Sequence, residues 1–298
     1  MAIPINIKER IKDLKKEYDY LKIGKESLLN LIFEVELPES VYNSNAIENS
    51  TLTIAETEKI ILNMQVSRNV AVREVFETKN LATIFTYLVH KITPQNISLE
   101  LILSLHKMLI SNINEDIAGR FRQKGEYVRV GGYIAPPPEQ VVIMLHALLA
   151  EYSSNFTQYI LEKISVFHLE FEHIHPFCDG NGRIGRVLIN YQLLQLGFPP
   201  VIIRDKEKKF YYRSFSEYKN NNQGKYNNME RILCLGLLES LHKRITYLKG
   251  EKILRIKDYA ATKQISLSIL LNKAKRQTIP AFREKGIWKI ASTYEYGA

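Results

Sequence analysis

Apolar residues recur at three- and four-residue steps through most of this chain, which is the spacing of a helix with one buried face. Ile11, Leu14, Tyr18 and Leu21, with Lys and Glu between them, predict an amphipathic helix over residues 7–35 packed on the main body. Pro38 lacks the N–H a helix needs, so it is expected to end that pattern, and Ser44 is placed to cap a short helical turn that carries Glu48. Ile60, Ile61 and Met64, then Val75, Leu81, Ile84, Phe85 and Leu88, predict two helices within residues 54–92; Leu101, Ile102, Leu105 and Leu109 predict another over 98–112. The period changes after Ala118-Gly119-Arg120-Phe121-Arg122. From Tyr127 to Ile134, β-branched and aromatic residues flank Gly131-Gly132, which reads as a hairpin, and Pro136-Pro137-Pro138 stop it before a helix near 139–152. Helices follow over 160–174, 206–218 and 228–248, with a polar loop at Asn220–Gly224. The end of the chain differs again: short helices at 256–261 and 266–274 precede two strands within 279–290 that turn at Lys285-Gly286. The fold class is therefore mainly α, with a hairpin and a small C-terminal helix–strand module.

Composition adds bounds. A chain of 298 residues can bury one large core and a small one. No run approaches the eighteen or so apolar residues of a membrane span, and the first ten residues lack the apolar core of a secretion signal, so no membrane partner and a cytoplasmic location are expected. The two cysteines, Cys178 and Cys234, have no metal-ligand spacing. The formal charge is +9 and uneven: residues 251–298 hold ten Lys and Arg against four Asp and Glu. That excess points weakly to an acidic partner such as nucleic acid, and taken alone reads better as a solvated lysine-rich surface.

The chemistry concentrates in His175-Pro176-Phe177-Cys178-Asp179-Gly180-Asn181-Gly182-Arg183-Ile184-Gly185-Arg186. A histidine can exchange a proton near neutral pH. A carboxylate four residues later can hold a hard cation such as Mg²⁺. Gly180 and Gly182 allow a tight turn and close approach to a ligand, and Arg183 and Arg186 offer planar forks for phosphate oxygens. Val187, Leu188, Leu193, Leu194 and Leu196 predict a helix after the glycines, so free N–H groups and the helix dipole also favour an anion there. There is no P-loop ending in Gly-Lys-Ser/Thr. His168 and His173 precede His175, but their spacing fits no zinc pattern and both read as structural, as do the isolated His90 and His106.

These twelve residues match the Fic-family signature HPFx(D/E)GN(G/K)RxxR at every specified position, and the resemblance extends over roughly residues 36–245. It implies a Fic/Fido helical bundle with a β-hairpin flap that transfers AMP from ATP, with Mg²⁺, to a Tyr, Thr or Ser hydroxyl of a protein, the chain itself included. In that reading His175 is the general base and Asp179 holds the metal; Gly180, Asn181, Gly182, Arg183 and Arg186 hold the phosphates. Ser44, Glu48 and Asn49 resemble the family's inhibitory pattern (S/T)xxxE(G/N), placed N-terminal to the motif as in class II, which implies that Glu48 pairs with Arg186 and blocks the γ-phosphate position. Residues 128–134 are similar to the family's flap, so Val128, Val130, Gly131, Gly132 and Ile134 are expected to dock the target by strand pairing. Tyr211-Tyr212 is similar to a pair that borders the adenine pocket, Tyr212 being the expected nucleotide contact, but Lys219 stands where the family often has asparagine, with Asn220 next.

Three parts are expected: an N-terminal helical segment (1–35), the catalytic domain (36–245) with its inhibitory helix near 44–49, and a module over 251–298 that looks like a winged helix-turn-helix. Its second helix, with Ser266, Ser268, Asn272, Lys273 and Lys275, would read DNA; contact with protein is the alternative. Two other functions remain open, deAMPylation by the same site and a DNA-binding regulator whose Fic domain senses nucleotide. A homo-oligomer is compatible with the sequence.

Overall fold

A computed structural model describes residues 3–66, 68–91, 96–219 and 228–297, so the loop expected at Asn220–Gly224 and the asparagine position beside Lys219 lie outside the described residues. Ten helices make the described part of the main body: α1 (Ile5–Leu21), α2 (Glu26–Ile47), α3 (Ile54–Asn63), α4 (Val72–Lys91), α5 (Leu99–Ile110), α6 (Val141–Ser154), α7 (Ile160–Ile174), α8 (Asn181–Gln195), α9 (Lys208–Lys219) and α10 (Asn228–Leu248). Between α5 and α6 lies the hairpin of β1 (Arg129–Val130) and β2 (Tyr133–Ile134), paired Arg129 to Ile134 and Val130 to Tyr133 around Gly131-Gly132.

The helices enclose two apolar cores that share α7 and α8. One gathers Leu81, Leu105, Leu109, Val141, Leu145, Phe171, Ile184 and Leu188; the other gathers Ile11, Tyr18, Ile164, Ile189, Leu193, Leu233, Leu237 and Leu241. Each such side chain stabilises the fold by about 1.5–3 kcal/mol relative to exposure, before chain entropy is counted. Helix α8 is buried along most of its length, so the residues at its N-terminus are held from every side.

Two expectations at the N-terminal end are corrected. The helix expected over 7–35 is two helices, parted near Gly24, whose φ of 71° suits glycine. Helix α2 does not stop at Pro38 but runs through it to Ile47. An interior proline costs about 3 kcal/mol. Here it is buried along with Phe33, Val41 and Ile47, and the flanking Glu36 and Glu39 are locked to Arg244 and Arg204 at 2.5 Å each. Ser44 therefore lies inside the last turn of α2 rather than capping a new one, and Glu48 is the residue that ends the helix.

The C-terminal segment runs β3 (Ile253–Arg255), α11 (Ile256–Lys263), α12 (Leu267–Lys275), β4 (Ala281–Glu284) and β5 (Ile287–Ala291), with an antiparallel sheet in the order β3-β5-β4. Tyr259, Leu270, Ala274, Ile279 and Ile290 form its own core. The turn of β4–β5 faces inward: the Lys285 and Gly286 N–H groups donate to Glu39 of α2 at 3.0 and 3.1 Å, and Lys285 Nζ pairs with Glu58 at 2.8 Å. No helix among the described residues is long and apolar enough to cross a membrane.

Candidate active site

His175 ends α7 in the left-handed conformation, φ 50°. For a residue with a Cβ this costs about 1–3 kcal/mol, and the surroundings enforce it. Arg122, buried and sent in from the segment before the hairpin, donates to the carbonyls of His175 at 2.8 Å, Pro136 at 2.9 Å and Ile174 at 3.3 Å, while its own N–H donates to Pro176 O at 2.9 Å. The His175 Nδ1 lies 3.2 Å from the Glu172 carbonyl, an acceptor only, so Nδ1 carries the hydrogen and Nε2 presents its lone pair. Burial first, and then the nearby Arg122 charge, pull the imidazole pKa down to about 4, so it is neutral at physiological pH.

The loop from His175 to Gly180 is braced from within and from below. Asn181 Nδ2 donates to Phe177 O at 2.8 Å and its Oδ1 accepts from Phe177 N at 2.9 Å. This side chain, expected on a phosphate, also closes the loop and has one remaining N–H to offer. His106 of α5 stacks on Phe177 with ring centroids 3.7 Å apart, accepts from Gly119 N at Nδ1 and so donates from Nε2 to the Asp179 carbonyl at 3.0 Å. Burial keeps it neutral, with a pKa of about 4. His106 is thus a loop support rather than an isolated histidine, and sequence spacing gave no sign of this.

Gly180 starts α8 at φ 81°, where a Cβ would press on Leu109. Around it the charged residues meet one another. Arg183 reaches Glu77 of α4 at 2.9 Å and Asp179 at 3.1 Å; Asp179 also pairs with Arg73. Burial works to raise the Asp179 pKa, but Arg183 and Arg73 more than reverse that and keep it ionised. Arg186 is fully enclosed. Its Nη2 meets Glu48 Oε1 at 2.9 Å and the Ser44 carbonyl at 2.9 Å, its Nε donates to the Ser44 hydroxyl at 3.0 Å and its Nη1 to the Tyr211 hydroxyl at 3.1 Å. A Cβ at Gly182 would collide with the Glu48 carboxylate, so Glu48 lies directly over the first turn of α8. Asn49, φ 68°, accepts from Lys208 of α9 at 2.8 Å and fixes the end of α2.

The tyrosine pair divides. Tyr211 is buried, with its hydroxyl between Arg186 and His168 Nε2 at 3.0 Å; Tyr212 is half-exposed and donates to Ile47 O at 2.9 Å. The hairpin stands beside His175, anchored by Tyr133, which stacks on His173 and donates to Glu172 O at 3.3 Å; Ile134, Gly131 and Gly132 are exposed. Among the described residues no group of three or more His, Cys, Asp and Glu could cage a metal. One ionised carboxylate at a phosphate cradle does fit Mg²⁺, which takes most of its ligands from water and phosphates. A cleft of about 1220 Å³ lies away from this chemistry, between Tyr42 of α2, Arg231 of α10 and Lys275 and Trp288 of the C-terminal module.

Comparison with known proteins points to one family. Residues 96–193 match the family model described as Fic/DOC family. The chain is 31% identical over 179 residues to the protein adenylyltransferase Fic of Drosophila virilis, covering 58% of this chain and 36% of the fly protein, so it spans about a third of the length of that relative. Among solved structures, a Fic-domain-containing signalling protein from Bacteroides thetaiotaomicron superposes with a TM-score of 0.69 at 23% identity, over 81% of this chain and 97% of that one. A Fic family protein from Desulfovibrio desulfuricans does so at 0.62 and 21%, over 96% of this chain and 97% of that one. The match to the Fic/DOC family thus lies in residues 96–193, and the fold around them is shared with these solved Fic structures.

Proposed function

We propose that this chain is a protein adenylyltransferase that holds itself inactive through Glu48. One observation supports the reading: Arg186, the last arginine of the motif, is saturated by Glu48, Ser44 and Tyr211, while His175 at the start of the same motif keeps its Nε2 lone pair free. The names of the curated relatives support the same chemistry. His175 Nε2 takes the proton of a Tyr, Thr or Ser hydroxyl, that oxygen bonds to the α-phosphorus of ATP, and the bond to the β-phosphate oxygen breaks, releasing pyrophosphate. Arg183 turns from Glu77 to the β-phosphate, backbone N–H groups of Gly180 and Gly182 add donors, and Arg186 takes the γ-phosphate once Glu48 leaves. Asp179 would hold Mg²⁺, which supplies charge neutralisation between the phosphates. Tyr212 borders the base, and residues 128–134 align the target strand. The target is a protein with an accessible hydroxyl, this chain included.

For the C-terminal module we favour a role in gripping α2 over reading DNA. What supports this is the strand turn, whose N–H groups and Lys285 are engaged by Glu39 and Glu58, although Ser266, Ser268, Asn272 and Lys275 remain exposed. The test of the main proposal is incubation with α-³²P-ATP and Mg²⁺. Glu48→Gly is expected to label protein about a hundredfold more than wild type, and His175→Ala in the same background to lose about 10²–10⁴-fold. Absence of label in every variant that still binds ATP overturns AMP transfer.

A further inference from the structure

Glu172, one helical turn before His175, has no part in the mechanism above, yet it is placed against the reacting machinery. It is 7% exposed, and Oε1 makes no hydrogen bond among the described residues. That oxygen lies over Gly185 so closely that a Cβ there would overlap it, which puts the carboxyl group beside the first turn of α8. The other oxygen, Oε2, stands 3.8 Å from His175 Nδ1, the edge that already donates to the Glu172 carbonyl. Leaving a buried carboxyl oxygen without a partner is costly, so the group has a reason to be there.

The groups that act on this carboxyl come from each neighbouring element: Glu48 from the end of α2, Arg186 from α8, Tyr211 from α9, Tyr133 from the hairpin, and His168 and His175 on its own helix and the loop after it. Burial first, then the Glu48 charge, raise its pKa to about 8 against the pull of Arg186, so in this closed arrangement it is a neutral acid at physiological pH. Arg186 cannot reverse this while Glu48 neutralises it. When Glu48 withdraws, one repulsion disappears and, in nucleotide-free protein, one guanidinium charge is unmasked.

We propose that Glu172 is a positioning residue for His175: once Glu48 leaves Arg186, the Glu172 carboxylate bears on the Nδ1–H edge of the imidazole and holds the opposite nitrogen as the base. No proton passes to Glu172 in the transfer step. The hydroxyl proton goes to Nε2, Nδ1 keeps its own, and the carboxylate stabilises the resulting imidazolium. Glu48 then inhibits twice, by occupying Arg186 and by keeping Glu172 neutral. The proposal rests on the adenylyltransferase reading for its meaning, and on charge alone for its test.

The test is the His175 titration in nucleotide-free, full-length protein labelled at histidine, with the signal assigned among the seven histidines by its loss in His175→Ala. The direction is diagnostic. Glu48 itself raises the His175 pKa through space, so if Glu172 were only a packing residue, Glu48→Gly would lower the midpoint. The proposal expects loss of Glu48 to carry the Glu172 midpoint below that of His175, so that Glu48→Gly raises the His175 midpoint by about one pH unit, the effect of an ionised carboxylate within about 4–6 Å, and Glu48→Gly/Glu172→Gln cancels the rise. Glu172→Leu, of similar bulk, serves as the second variant and is expected to match Glu172→Gln. A midpoint that falls in Glu48→Gly, or that ignores Glu172→Gln, overturns the proposal. In AMP transfer by the Glu48→Gly protein, Glu172→Gln should lower kcat roughly tenfold, in line with a lost charged contact to the base, with KM for ATP unchanged. If Glu48→Gly transfers no AMP at all, the functional reading fails, while the titration still decides the placement of Glu172.

Discussion

Glu36, Glu39 and Glu239 at the junction of α2, α10 and β4 are as deeply buried as the charges around His175, but they are arranged by a different rule. Arg204 spans Glu39 and Glu239 at 2.5 and 2.8 Å, Arg283 closes on Glu239 at 2.6 Å, and Arg244 and Lys243 close on Glu36 at 2.5 and 3.1 Å. Burial works to raise the pKa of Glu36 and Glu239, yet the cations beside them prevail and hold both below the ordinary value. At the motif the balance is left open. Glu172 is pushed up to about 8, Glu48 is 36% exposed at its side chain while its partner Arg186 is 3% exposed, and Arg183 and Asp179 lean on side chains from another helix. A cluster that completes itself ties elements together, whereas one closed by a removable group keeps a place for a ligand's charge. The same helix, α2, carries Glu36 and Glu39 into the first cluster and Ser44 and Glu48 to the second. The C-terminal module therefore grips α2 a few turns from the end that carries Ser44 and Glu48.

The sharpest way to break this comparison is to remove one carboxylate from each cluster. Glu239→Ala leaves Arg204 and Arg283 short of a partner and is expected to cost about 3–5 kcal/mol in denaturant unfolding. Glu48→Gly should cost less than about 1 kcal/mol, since the pair is partly exposed and Arg186 keeps Ser44 and Tyr211. Equal losses would make Glu48 a structural residue and remove the basis for autoinhibition.

A smaller effect sharpens the same contrast within the phosphate cradle. Glu77 holds Arg183 at 2.9 Å and so would compete with the proposed nucleotide for it. Glu77→Ala in the Glu48→Gly background is expected to tighten ATP binding about threefold to tenfold, the worth of roughly 1 kcal/mol, read by nucleotide titration. Weaker binding would instead make Glu77 a support that aims Arg183.

What was legible in the sequence follows from how local each contact is. The twelve-residue motif forms a loop and the first turn of a helix, so its side chains are gathered by neighbours in sequence, and residue type and spacing reveal the grouping. The helices around it were legible from their apolar period. Helix α2 was misread because a proline rule prices the lost hydrogen bond and not the burial that offsets it. His106, Arg122, Tyr211 and Glu77 support the site across the fold: Arg122 meets His175 from 53 residues away and His106 meets Asp179 from 73. No periodicity encodes such a contact. Glu172 was the one missed residue with a local sign, a carboxylate one turn before the histidine, on the same side of α7 as the buried Leu169.

The finest test uses pH and stability. Glu172 has a folded-state pKa of about 8 against a reference of 4.5, so between those values the folded protein binds more protons at this site than the unfolded chain. Stability from this group is therefore complete below about pH 4.5 and is lost as pH rises through about 8. The buried histidines His106, His168 and His175 act in the opposite sense, since their lowered pKa values favour the unfolded chain as pH falls below the ordinary histidine value of about 6.5. Both effects coexist in wild type, so a single melting curve cannot separate them. Subtracting Glu172→Gln does, because the histidines are common to both proteins. Near pH 5 the two should melt within about a degree, and near pH 8.5 Glu172→Gln should melt about 2–4 °C higher, the equivalent of roughly 1 kcal/mol in a domain of this order of size. A difference that is the same at both pH values would mean that Glu172 is ionised throughout, as Glu36 and Glu239 are, and would place it with the self-completing charges of the junction rather than with the unbalanced charges of the site.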